Sequence, residues 1–187
     1  MVAAARYALD TGKVGVSPSS GFHHAHWDSG EAFCTFNALA LVAREAVKRG
    51  CRVGILDCDQ HEGNGTDDIL SVLIMPAIKH VTLGKMFHSP IHARDYLAML
   101  RGLCEQGWFK SVDFVIFQAG ADVHKDDPLG GVLTTKEMKE RDRIVFEGVY
   151  EAGIPLVWNL AGGYLSPISK VVALHTNTMQ ACIRVFK

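Results

Sequence analysis

Asp57, Asp59 and His61 occupy alternate positions at the end of the apolar run Gly54-Ile55-Leu56. Extended backbone points alternate side chains the same way, so two carboxylates and an imidazole share one side. Such groups at the end of a buried strand are costly unless a cation or hydrogen-bond partners satisfy them. Oxygen and imidazole ligands suit zinc, and three protein ligands with one open position make a catalytic rather than a structural site. The set is hard enough that iron(II) competes with zinc. Taken alone, an N-capping cluster in a strand–helix loop accounts for these residues equally well.

Gln118-Ala119-Gly120-Ala121-Asp122 repeats the theme: a buried strand, a Gly-containing turn at Gly120, then a carboxylate, Asp122. A single Asp there reads as a cap or turn residue. It becomes a third ligand candidate because another strand end already offers Asp59 and His61. Asp126, Asp127 and Pro128 just beyond read as loop chemistry. The adjacent His23 and His24 suit proton transfer, since imidazole titrates near neutral pH. Tyr164, on the Gly162-Gly163 turn, carries a hydroxyl that could stabilise an oxyanion or simply pack. His26, His80, His88, His92, His124 and His175 have no such context and read as surface or structural groups.

The elements that position these residues alternate between short β-branched runs and helical patterns, the signature of a parallel α/β sheet. Strands are expected at Lys13 to Val16, Arg52 to Leu56, Lys79 to Leu83, Val112 to Phe117 and Pro155 to Leu160. Helices are expected at Ala3 to Leu9, Thr35 to Lys48 and Ala93 to Glu105. Thr134 with Glu137 forms a capping box for a helix to Glu151, and Ser166-Pro167 opens the last one. The reactive residues all follow strands, and in open α/β sheets ligands bind outside the carboxyl ends of strands.

At 187 residues, 48% hydrophobic and 21% charged, the chain has the size and composition of one globular domain over 1–187. A net charge of −1 without a basic run gives no support to nucleic-acid or membrane-surface binding. No apolar stretch approaches the ~20 residues of a membrane helix. Five scattered cysteines and no secretory leader pattern point to a reduced, cytoplasmic setting.

Five segments together resemble the histone deacetylase-like amidohydrolases, which include bacterial deacetylases and acetylpolyamine amidohydrolases. They are Gly21-Phe22-His23-His24-Ala25, Gly30 to Asn37, Leu56 to Thr66, Gln118 to Asp122 and Leu160 to Tyr164. The resemblance implies a three-layer α/β/α, arginase/deacetylase-like fold with a mostly parallel sheet, reduced at the N-terminus. It implies zinc on Asp59, His61 and Asp122, with His23 and His24 as the tandem proton-transfer histidines. Asp57 would orient His23, Asn64 would partner His24, and Tyr164 would bind the oxyanion. An Asn at position 64 would hold the imidazole without stabilising its charge.

Phe33, with Ala32 before it, matches one wall of an acyl-lysine tunnel, and Phe87 is the candidate for the second. The backbone carbonyls of Asp57, Asp59, His61 and Leu83, with the Thr82 hydroxyl, match a structural potassium site. The implied activity is removal of acetyl or other acyl groups from acetyl-lysine or small acetylated amines. The other reading is a non-catalytic metal-binding or interaction protein that retains the fold.

The departures lie around the tunnel. Relatives carry a long portion before the tandem histidines and a longer loop after the Thr82-Leu83 strand. Here Ala32 replaces a Gly, and Glu31 adds a charge that mildly favours a cationic substrate. These differences predict a shallower cleft and an exposed sheet edge that a second copy would cover in a homo-oligomer.

Overall fold

A computed structural model describes residues 1–187. Five parallel strands run in the order β1-β5-β4-β2-β3: β1 Val14–Ser17, β2 Val53–Asp57, β3 Ile78–Thr82, β4 Phe114–Gly120 and β5 Leu156–Ala161. β2 and β4 are buried along their whole lengths, as a sheet covered on both faces requires. Alternation along these strands divides the core in two. Val53, Ile55, Phe114, Ile116 and Val157 pack against α1 (Val2–Thr11) and α2 (Ala38–Lys48). On the other face, Leu56, Val115, Phe117 and Trp158 meet α4 (Ala93–Glu105), α5 (Thr135–Ala152) and α6 (Ser169–Val185). α3 (Asn64–Leu73) joins the first layer through Leu70. The result is the expected three-layer α/β/α arrangement, and no helix is long and apolar enough to cross a membrane.

The expected elements are present, with shifted ends. α2 begins at Ala38 rather than Thr35 because Asn37 caps it, its Oδ1 accepting the Ala40 N–H at 3.0 Å. β4 starts at Phe114, since Asp113 turns aside to bind Arg52. It runs on through Gly120, where a Cβ would lie 2.5 Å from the Asp59 Cα. What reads as a Gly turn is thus strand whose glycine permits close approach. β3 ends at Thr82, with Leu83 already in a one-turn 3-10 helix. The capping box on α5 forms in full. Ser166-Pro167 precedes the last helix instead of opening it; α6 starts at Ser169.

Strand order fixes the location of the site. From β2 the chain passes through α3 to β3 at the sheet edge, then returns to place β4 on the opposite side of β2. The loops leaving β2 and β4 therefore lead to helices in different layers, opening a crevice at their carboxyl ends.

Candidate active site

Asp57, the last residue of β2, is fully buried. Its Oδ2 accepts from His23 Nδ1 at 2.8 Å, and its Oδ1 accepts from Gln118 Nε2 and the Asp59 N–H, each at 3.1 Å. Gln118 in turn accepts from Asn159 Nδ2 at 3.3 Å, so three adjacent strands share one buried polar chain. Burial alone would push the Asp57 carboxyl up, but His23 outweighs it and holds the group below the usual range. Burial would likewise lower His23, and Asp57 instead raises it to about 9.

The loop after β2 turns Asp59 and His61 toward Asp122. His61 Nδ1 donates to Asp122 Oδ2 at 3.0 Å and lies 3.2 Å from Asp59 Oδ1; ligand-type atoms of the three residues fall within 4.8 Å of one another. Burial and the neighbouring Asp59 charge push Asp122 up to about 7. Hydrogen bonds to Asp122 and Asp59 raise His61 to about 10. Two buried carboxylates thus converge on one imidazole nitrogen, with His23 Nε2 a second close nitrogen 3.7 Å from Asp59 Oδ1. This donor set and its like-charge crowding fit a divalent cation.

α3 holds the histidine loop from below. The Thr66 N–H donates to the His23 carbonyl at 3.0 Å, and a Cβ at Gly65 would lie 2.5 Å from the Ala25 carbonyl oxygen. Asn37 adds bonds from its Nδ2 to the Ala25 carbonyl and to Thr66 Oγ1, each 3.0 Å. His24 stands 4.0 Å from His23 between ring centroids and donates through Nδ1 to Asn64 Oδ1 at 2.6 Å. Burial, then the charge of His23, lowers the His24 pKa. The tandem imidazoles are therefore shifted in opposite directions.

Tyr164 completes the rim. Its backbone N–H donates to Asp127 Oδ2 at 2.7 Å, and its hydroxyl is pushed up to about 12 by burial and the Asp122 and Asp59 charges. The preceding Gly162 has φ 47°, and a Cβ there would overlap the Asp122 carboxyl group. Phe33 is 85% exposed, with φ 68°, its ring 6.3 Å from that of Tyr164. His23, His24, Ala32, Phe33, Asp59, His61 and Tyr164 all border one cavity of about 60 Å³. A roomier groove of about 590 Å³, between α2, α3 and the preceding loop, contains none of the convergent acids.

Phe87 corrects the sequence reading. It is partly buried against the core, with its ring 5.5 Å from Tyr96, and does not line the cleft. His26 and Glu31 pair at 2.9 Å, and Glu31 also accepts from Asn64, so this exposed acid is hydrogen-bonded at the rim. Sequence reasoning gave no role to Gln118 and Asn159, and read Asp127, which holds the Tyr164 backbone, only as loop chemistry. The first two were detectable as amides inside otherwise apolar strands, which burial would leave unpaired without a partner. Thr82 stands opposite Asp57 in the sheet, its hydroxyl accepting the Gly63 N–H at 3.0 Å. The following Gly84 packs so closely on the Gln60-His61 backbone that a Cβ would lie 2.6 Å from the Gln60 carbonyl oxygen.

Comparison with known proteins gives this geometry a context. Residues 1–73 match the family model of the histone deacetylase domain. Histone deacetylase 2 of Arabidopsis thaliana is 28% identical, aligned over 92% of this chain and 49% of its own. Acetylpolyamine amidohydrolase 2 of Pseudomonas aeruginosa is also 28% identical, over 76% of this chain and 48% of its own. The chain thus spans about half the length of these two relatives. The crystal structure of an acetylpolyamine aminohydrolase from Burkholderia pseudomallei superimposes with a TM-score of 0.75 at 19% identity, over 96% of this chain and 59% of that one. Domain match over the first 73 residues, curated relatives and shared fold agree in what the chain is similar to: proteins of the histone deacetylase and acetylpolyamine amidohydrolase kind.

Proposed function

We propose that residues 1–187 form a zinc-dependent amidohydrolase domain that removes acetyl groups from acetyl-lysine or small acetylated amines. The observation that carries this reading is the convergence on one small cavity of two shifted imidazoles, a tyrosine hydroxyl and two members, Asp59 and His61, of a three-residue ligand cluster. Asp59, His61 and Asp122 would hold the metal. Zinc in such a site polarises an acyl carbonyl and lowers the pKa of water from ~15.7 toward ~7. Iron(II) suits the same ligands.

The protein groups divide the remaining work. Asp57 fixes the His23 ring through Nδ1, leaving Nε2 toward the cavity and 3.7 Å from Asp59 Oδ1. His24, held through its own Nδ1, presents Nε2 to accept a proton from the attacking water and return one to the departing amine. Tyr164 would donate a hydrogen bond from its hydroxyl to the oxygen that gains charge as the carbonyl becomes tetrahedral. Phe33 offers an apolar face to the acyl chain. The Asp57, Asp59, His61 and Leu83 carbonyls with the Thr82 hydroxyl would take potassium, a hard cation suited to oxygen donors, and stiffen the floor. The names of the relatives, a histone deacetylase and an acetylpolyamine amidohydrolase, support both substrate classes.

The test is acetate release from acetyl-lysine peptides and acetylpolyamines by zinc-loaded protein and by Tyr164→Phe. Loss of one oxyanion donor is expected to lower kcat by about 10²–10³. Absence of release from every substrate, at stoichiometric bound zinc, would sink the proposal.

A further inference from the structure

A hydrogen-bonded chain leads from His24 out of the cleft. His24 Nδ1 lies 2.6 Å from Asn64 Oδ1, and Asn64 Nδ2 lies 3.0 Å from Glu31 Oε2. The same Glu31 oxygen accepts from His26 Nε2 at 2.9 Å, so the two donors sit 3.3 Å apart. His26 Nδ1 faces Asp68 Oδ2 at 3.3 Å, which also accepts the Trp27 N–H at 2.9 Å. Glu31 is held at its backbone as well: its N–H and carbonyl pair with Cys34 at 3.1 and 2.7 Å. That tight pairing encloses Ala32 and Phe33, both at positive φ, and fixes where the Glu31 side chain starts.

We propose that Glu31 is a positioning residue that orients the Asn64 carboxamide and thereby sets which nitrogen of His24 carries the proton. An ionised carboxylate accepts and cannot donate, so only the amide nitrogen of Asn64 can face Glu31. The amide oxygen is then turned to His24, and because it can only accept, His24 must carry its proton on Nδ1. Nε2, the nitrogen toward the cavity, is left as the acceptor. An Asn beside a catalytic imidazole is otherwise ambiguous, since its two ends could exchange; the outer carboxylate removes the ambiguity. At 55% side-chain exposure, Glu31 contributes little to stability through its ion pair, which separates orientation from folding.

The inference rests on the proposed role of His24 only for its catalytic consequence; the orientation stands independently. Protein carrying nitrogen-labelled histidine, without added metal, is examined by proton–nitrogen correlation NMR, with the His24 ring assigned through His24→Ala. Wild type is expected to show the proton on Nδ1. Glu31→Gln, whose side-chain carbonyl can still accept from Asn64, is expected to keep it there. Glu31→Lys can only donate, so the amide reverses and the proton moves to Nε2. A hydrogen bond to a charged group corresponds to a tautomer shift of about tenfold or more. In zinc-loaded protein the Lys variant is also expected to lose about 10² or more in kcat with KM little changed. An Nε2 proton in wild type, or an Nδ1 proton retained in Glu31→Lys, would overturn the proposal whether or not the chain hydrolyses an amide.

Discussion

Gly162→Ala probes how the turn after β5 is coupled to the candidate metal ligands. Gly162 has φ 47°, and its missing side chain leaves room filled by the Asp122 carboxyl group. A left-handed Ala costs about 1–2 kcal/mol. Crowding a packed site adds about 1–3 kcal/mol. The sum, about 2–5 kcal/mol, corresponds to a melting-point drop on the order of 10 °C for a chain of this size. The local consequence is sharper, because the carboxyl must move and its bond to His61 Nδ1 at 3.0 Å must lengthen. Zinc affinity is expected to fall by about 10–100-fold, the range seen when a ligand's support is disturbed. Gly163→Ala is the control. It also has positive φ, 111°, but its Cβ would press on Val171 Cγ1 at 2.6 Å, not directly on the acid. Calorimetric melting and a competition titration with a zinc chelator measure the two effects separately. If Gly162→Ala binds zinc no more weakly than Gly163→Ala, the coupling between this turn and Asp122 is wrong.

Gln118→Leu leaves Asp57 Oδ1 without a donor from β4 and removes one of the two acceptors of Asn159 Nδ2; a loss of about 1–3 kcal/mol in denaturant unfolding is expected. Phe33→Ala and Phe87→Ala should divide function from stability. The first, on an exposed side chain, is expected to raise KM for acylated substrate without changing the melting point. The second, on a ring packed against the core, is expected to lower the melting point and leave KM alone. Asp113, held at about 2 by its hydrogen bonds to Arg52, has a folded pKa below the ordinary ~3.9. Its contribution is present above that value and disappears as pH falls toward 2; being exposed, it is worth no more than about 1 kcal/mol. The melting-point gap between wild type and Asp113→Asn should therefore be larger at pH 7 than at pH 3.

Period and spacing were enough to find the strands and the groups that follow them, because a fully buried strand must be apolar and a group able to bind or react must break that pattern. Asp57, Asp59 and His61 stand out for that reason. The misplaced ends have local causes that a window of sequence does not contain. Thr35-Phe36 reads as helix until Asn37 is seen capping α2 while binding Ala25 and Thr66 at the same time. Gly120 reads as a turn until the Asp59 backbone is found against it. Phe87 matched a rim aromatic by position in the chain, yet whether a ring faces a cleft or the core depends on how a short loop closes. Glu31 and His26 were separately visible, but their joint contact with Asn64 crosses from one loop to the start of a helix. No periodicity encodes that contact.

The site also explains why its residues are so scattered along the chain. Asp59 and His61 lie on the way from β2 to α3, in one helical layer, while Asp122 lies on the way from β4 to α5, in the other. Only the reversal of strand order between β2 and β4 brings these outgoing segments together. A cation bound by all three would therefore join loops that lead to opposite faces of the sheet. At the same junction His61 Nδ1 faces both buried carboxylates. The strain of that compromise is visible in the opposite protonation tendencies of its neighbours, Asp122 raised and Asp57 lowered, although both are buried. What separates the two acids is that Asp57 accepts from His23 at 2.8 Å and from two further donors, while Asp122 shares the His61 imidazole with Asp59. The fold thus provides one fully paired carboxylate to hold a histidine and leaves a second pair under-compensated, which is the electrostatic condition for taking up a metal.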